Sequence, residues 1–194
     1  MAGPYSHLRV IDTTGLTGAY ATRLFAGLGA EVIRLEPPEG SHLRTLRPFA
    51  EGLSPPENSL WWSYLGMGSR SVVIDPSDQR ALRRIISEAD VVFEDVLPEA
   101  SPLSSEFFEP STVRTRILPF GLNGPKRDWR SSNLIAWAAS GILYTTGFID
   151  RTPVAPAAPV QLACHVSATS ALVGTLLALR SRNKTGFAQN VEIS

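Results

Sequence analysis

The sequence predicts an α/β fold built on a mostly parallel, doubly wound sheet. Two observations carry this. Short apolar runs rich in Val and Ile recur along the chain, and segments with helical spacing of apolar residues lie between them. That alternation is what parallel strands joined by crossovers require.

The elements follow in order. Residues 8–12, "LRVID", read as a buried strand. Residues 20–28 have helical spacing, with Leu24, Phe25 and Leu28 on one face, and Gly29 closes that helix. Residues 31–36 form a second strand, stopped by Pro37 and Pro38. The connection over about 39–58 is rich in Pro, Gly and Ser, and its length marks a functional or flexible loop. Residues 71–75 are a third strand, and Ser77 is the expected cap of a helix over 78–88. Strands at 90–94 and 116–120 precede a turn at 121–125. Helices are expected over 133–144 and 164–182, and a last strand over 189–193. Right-handed crossovers would place helices on both faces. Ligands of such sheets sit beyond the carboxyl ends of the strands, here 12–19, 36–44, 94–99 and 120–125.

Composition narrows the function. Hydrophobic content is 43%, charged content 19% and formal net charge zero over 194 residues, so a globular chain without a polybasic face is expected. This argues against nucleic acid or a membrane surface as partner. A single cysteine excludes an internal disulfide and a Cys-rich metal site. No basic segment followed by an apolar one opens the sequence, and the longest apolar run, 171–179, is short for a bilayer. A soluble, cytoplasmic protein is the expectation.

Few local motifs carry chemistry. Thr13 to Ala19 joins the first strand to the first helix. Gly15 and Gly18 leave its backbone open for a phosphate at a helix N-terminus, but the third glycine of a dinucleotide fingerprint is missing. A plain tight turn is an equal reading. Arg70 and Arg44 lie on loops and are phosphate candidates, with solvated arginine as the competing reading. Cys164 and His165 are neighbours, yet adjacent helical residues point about 100° apart and do not face each other. On residue chemistry alone a structural role is the better reading. Trp61, Trp62 and Tyr64 form an aromatic cluster that suits core or interface. His7 and His42 lack metal-ligand companions, and no H-E-x-x-H, G-x-S-x-G or P-loop occurs.

Four stretches together resemble the N-terminal half of class III CoA-transferases, the CaiB–BaiF family. They are "LRVIDTTGLTGAYATRLFAGLGAEVIRLE" (8–36), "SRSVVID" with "ADVVFEDVLP" (69–75, 89–98), "FGLNGP" with "AASG" and "TTG" (120–125, 138–141, 145–147), and "ALRSRNKTGFAQNVEIS" (178–194). The resemblance implies a Rossmann-like large domain, of which residues 1–194 would be the N-terminal part, incomplete relative to the family. A smaller second domain and interlocked subunits belong to the family's plan. It also implies acyl-CoA:carboxylate CoA transfer, or racemisation or isomerisation of acyl-CoA esters. In the transferases an aspartate attacks the acyl-CoA and carries the acyl group as a mixed anhydride.

Counted back from Gly186, that aspartate falls on Cys164, or on His165 with a one-residue slip. No Asp or Glu occurs between Thr152 and Asn190. Asp95-Val96 stands where the family usually has Asn-Phe, and Ser132-Asn133 where it has Tyr-Asp. Candidate contacts for CoA or acyl-CoA are Gly18, Arg44, Arg70, Asp95, Val96 and Arg130. CoA would be a substrate, with nothing bound covalently. Two expectations result. One is a CoA-binding transferase impaired because its nucleophile is replaced. The other is a non-catalytic pairing subunit that stabilises a full-length or complementary chain. Either way a homo-oligomer or a complementary chain is expected, because a half-sheet leaves a strand edge open.

Overall fold

The computed structural model describes residues 3–152 and 161–194. Its strands are β1 (Arg9–Asp12), β2 (Glu31–Glu36), β3 (Ser69–Val73), β4 (Val91–Glu94), β5 (Val113–Ile117) and β6 (Val191–Ile193). All pair in parallel, in the order β3-β2-β1-β4-β5-β6. The order reverses between β1 and β4, which makes their carboxyl ends the topological switch point of a doubly wound sheet.

Alternation along the strands divides the core. Val10, Val32, Val91, Phe93, Val113 and Ile117 face one side. There they meet α1 (Ala19–Gly27) through Ala21 and Phe25, and α5 (Leu162–Thr185) through Ala168, Ala171, Ala178 and Leu179. Ile11 and Val92 face the other side, against Leu82 and Ile86 of α3 (Gln79–Ser87), with Leu103 and Phe107. Fully burying a side chain such as Phe25 or Phe93 stabilises by roughly 1.5–3 kcal/mol. The small residues of α5 let it lie close to the sheet. A Cβ on Gly174 would come within 2.9 Å of Val191. The hydroxyls of Thr115 and Thr175 bond at 2.7 Å between β5 and α5.

Several expectations shift. The buried face of α1 is Ala21, Thr22 and Phe25, whereas Leu24 and Leu28 border an open groove with Met67 and Leu172. β3 starts at Ser69, two residues early, because Ser69 and Arg70 already pair with Val32 and Ile33 of β2. β5 ends before Pro119, which has no N–H for the ladder. Asp78 caps α3 by accepting from Ala81 N at 3.0 Å, while Ser77 donates its N–H and hydroxyl to Asp75. The helix expected over 133–144 is α4 (Asn133–Ala139), followed by Gly141 at φ 79° and a 3-10 turn at Ile142–Thr145. The connection over 39–58 holds a 3-10 turn, His42–Thr45, capped by the Ser41 hydroxyl. A further helix, α2 (Leu60–Leu65), carries the aromatic cluster.

Two corrections concern α5. The β5–β6 connection crosses the sheet in the opposite direction to β1–β2, yet α5 lies on the same face as α1. The two crossovers therefore have opposite hands, against the rule used above. The connection carries α4 and more than seventy residues of chain (118–190), so it is no compact βαβ unit. In addition, α5 is long enough, and an 18-residue stretch of it apolar enough at mean hydropathy 1.7, to cross a membrane by length and composition. The short apolar run noted in the sequence underestimates it.

Candidate active site

The switch point is built on charges buried in the sheet. Asp12, the last residue of β1, has no exposed surface. Its Oδ1 accepts from the N–H and hydroxyl of Thr14 at 2.8 and 2.6 Å. Its Oδ2 accepts from the Thr22 hydroxyl at 2.6 Å and lies 2.8 Å from Nη2 of Arg34. Arg34 is Asp12's register partner on β2 and is equally buried. This fixes the turn between β1 and α1. Gly18 belongs to that turn because of close packing. Its φ is an ordinary −104°, but a Cβ there would meet the Thr14 side chain at 2.5 Å.

Asp95 is the first residue past β4, on the same side of the sheet. Its Oδ2 accepts from Gly15 N at 2.9 Å. The neighbouring backbone is locked by Thr13, whose N–H and hydroxyl both donate to Phe93 O, at 3.1 and 2.9 Å. Burial pushes the Asp95 carboxyl up to about 6. The Gly15 N–H opposes this, the Asp12 charge adds to it, and Arg34 offsets part of it.

The first turn of α5 closes the site. Asn133, at the start of α4, accepts from Ala163 N at 3.1 Å through its Oδ1. This satisfies a helix-terminal donor that the Gln161 cap leaves unbonded by side chain. Cys164 follows. Burial raises its thiol above the ordinary range, and the negative Asp95 raises it further. His165 turns the other way, as helix geometry demands. Its ring lies 4.6 Å from that of Tyr20 and near Trp61 and Tyr64. Its Nδ1 donates to Gln161 O at 2.8 Å, because a carbonyl only accepts. Cys164 and His165 are thus no dyad.

Asp95 bonds to Gly15 in the turn that Gly18 belongs to, and its charge acts on Cys164; the remaining candidates have other partners or none of these. Arg44 is held by Glu36 through Nε and Nη2 at 2.7 and 2.8 Å, reaches Glu57, and stacks 3.6 Å over Trp62. Its guanidinium is occupied rather than offered to a phosphate. Arg70 pairs with Glu31 at 3.0 Å and shares the register of Ile33, which puts it on the opposite face of the sheet. Arg130 is exposed, and Val96 is half-buried just beyond Asp95. Sequence reasoning missed Asp12, Arg34 and Tyr20. The signal for the first two was present: Val32, Arg34 and Glu36 share the inward face of a strand, so a buried arginine there demanded an acidic partner.

CoA-transferase family III matches residues 5–194 of this sequence. The chain belongs to CoA-transferase family III. A succinyl-CoA:(R)-benzylsuccinate CoA-transferase subunit, BbsE, from Thauera aromatica is 33% identical over all of this chain and 49% of its own length. The succinyl-CoA–L-malate CoA-transferase alpha subunit of Chloroflexus aurantiacus is 30% identical over 98% of this chain and 46% of its own. A crystal structure of a CaiB/BaiF family protein from Brucella suis superposes with TM-score 0.89 at 27% identity, over 100% of this chain and 53% of that one. The chain spans about half the length of these relatives. The α/β reading and the family III resemblance are both established by these matches.

Proposed function

We propose that this chain binds a CoA thioester as one part of a family III CoA-transferase, and that Cys164 does not take over the nucleophilic work of the aspartate it replaces. The state of the Cys164 thiol carries this reading. A cysteine attacks as its thiolate, and reactive cysteines sit beside positive charge or an open helix N-terminus. Here burial and the Asp95 carboxylate both favour the neutral thiol, and Asn133 already occupies the Ala163 N–H beside it. The CoA thioester would lie beyond the carboxyl ends of β1 and β4, where ligands of doubly wound sheets bind. CoA is exchanged there and not retained. Calorimetry with CoA tests the binding: heat that disappears when Gly18→Val fills the β1–α1 turn supports it, and no heat at all overturns it.

A second reading rests on a different observation. Leu162, Val166, Val173 and Leu177 are exposed along α5 at spacings of four, seven and four. That is an apolar seam of the kind helices use to pair. Both relatives named above are described as subunits. The chain would then be a pairing subunit, with a second copy or a complementary chain against α5. Native mass measurement decides this: Leu177→Glu should shift the species towards monomer, and an unchanged mass would remove the reading.

A further inference from the structure

We propose that the groove between α3 and the β2–β3 edge of the sheet docks an acidic amphipathic helix, supplied by a partner of different sequence. The inference concerns the face of the sheet opposite α1 and α5 and depends on neither reading above.

A parallel sheet needs cover on both of its faces. Here one face of β2 and β3 is left half bare. Along β2, Val32, Arg34 and Glu36 on the α1 side are buried, while Ile33 and Leu35 on the α3 side are only partly so. The connections explain the difference. The one α-helix between β2 and β3, α2, packs through Leu65 with Ala19 of α1, on the other face. On the α3 side, Leu82 and Ile86 cover Ile11 and Val92 of the central strands. A groove of about 640 Å³ remains beside them, floored by Ile33, Val72 and Ile74 and walled by Ala81 and Ile85. β3 is the edge strand, so no further strand closes the groove among the described residues.

The rim of this groove is basic. Arg80 and Arg84 line it one helical turn apart on α3, and neither has an ion pair among the described residues. The acids of the lining are already taken. Glu88 accepts from Arg9, and Asp78 caps α3 by accepting from Ala81 N at 3.0 Å. An apolar floor below two unpaired guanidinium groups fits a helix whose apolar stripe is flanked by acids four residues apart. About three turns of such a helix would run the length of the groove beside α3. A second copy of this chain has no helix to offer. None of α1 to α5 contains an Asp or a Glu. Two copies meeting through α3 would set arginine against arginine, which repels. Charge complementarity therefore selects a partner of different sequence.

Fluorescence anisotropy with a labelled synthetic helix tests the assignment. The probe is a helical peptide of about 14 residues, with a leucine stripe flanked by glutamates at four-residue spacing. The full chain should bind it. Arg80→Glu combined with Arg84→Glu should weaken that binding about tenfold. Both side chains are exposed, so the denaturant unfolding curve should not move. The same doubly substituted protein should gain affinity for a peptide carrying lysine in place of each glutamate. No binding of the glutamate peptide to the full chain overturns the proposal, and so does equal binding of the glutamate and lysine peptides. Native mass measurement covers the other occupant: a dimer of this chain that Ile74→Glu dissociates would make a second copy the partner and overturn it as well. Leu177→Glu, on α5, should leave peptide binding unchanged, and a loss there would move the docking site off this groove.

Discussion

Glu36 and Asp95 are two carboxylates on the same side of one sheet, each at or just past the end of a central strand, and they are held in opposite states. Burial works to raise Glu36, but hydrogen bonds from Arg44, Ser71 and the Ser41 N–H outweigh it and bring the carboxyl down to about 2. Burial also raises Asp95, and there backbone N–H groups and the Arg34 charge oppose it only in part, so the carboxyl stays up at about 6. Glu36 has a cation bonded directly to it, and Asp95 has none among the described residues. The β2 end is a closed ion-pair cluster that fixes the loop over 39–58. The β4 end keeps an incompletely satisfied acid, the arrangement in which perturbed groups mark functional sites. Of the arginines proposed from sequence as phosphate contacts, one proves to be the lock of the first region, and the other lies on the far face.

The comparison breaks hardest at Arg44. Arg44→Ala leaves Glu36 buried and ionised with its cation gone, and should cost about 3–5 kcal/mol of stability in denaturant unfolding at pH 7. The wild-type pH profile carries the same information. A carboxyl lowered from 4.5 to about 2 contributes stability that is fully present above its unfolded value, and that stability is lost as pH falls through 2. Arg44→Ala should flatten that acid limb.

Asp95 should behave with the opposite sign. Its folded value, about 6, lies above its ordinary 3.8, so the folded state binds a proton more tightly than the unfolded chain does. Stability from this group is present below about pH 4 and falls as pH rises through 6. Asp95→Asn should therefore raise stability at pH 7.5 by roughly 1–3 kcal/mol while removing that slope, the lower end reflecting the part of the side chain that water reaches. An unchanged profile in this variant would mean that the two acids do not differ as described.

The sequence made the closed parts of this molecule legible and left the open part obscure, for a physical reason. The strands through Val10, Val32 and Val91 follow from β-branched runs, and the end of α1 from Gly29, whose φ of 95° suits glycine. Periodicity also pointed to the carboxyl ends, and the family resemblance to Asp95 within one of them. Periodicity missed α2 because Leu60–Leu65 is too short for helical spacing to show. The ion-pair partners of Arg44 and Arg70 were not legible either. A side chain's partner depends on cross-strand register and loop path, which local spacing does not encode. The action of the Asp95 charge on Cys164 likewise links residues far apart in sequence, through a crossover whose hand departs from the usual rule.

That link gives a smaller and more specific effect. If the Asp95 charge holds the thiol neutral, Asp95→Asn should lower the Cys164 pKa and speed its alkylation by iodoacetamide at pH 7.5 by roughly three- to tenfold. The rate follows from the thiolate fraction, so the pH–rate curve should move to lower pH with its plateau nearly unchanged. A plateau that rises without moving would report a loosened helix terminus instead. Arg70→Ala supplies the contrast. Arg70 is mostly exposed and pairs with Glu31 on the other face, so its loss should change stability by no more than about 0.5 kcal/mol and leave both the alkylation rate and the CoA-binding heat as they were. A drop in CoA binding in Arg70→Ala would mean that the ligand reaches around the β3 edge, and the site would then extend across both faces of the sheet.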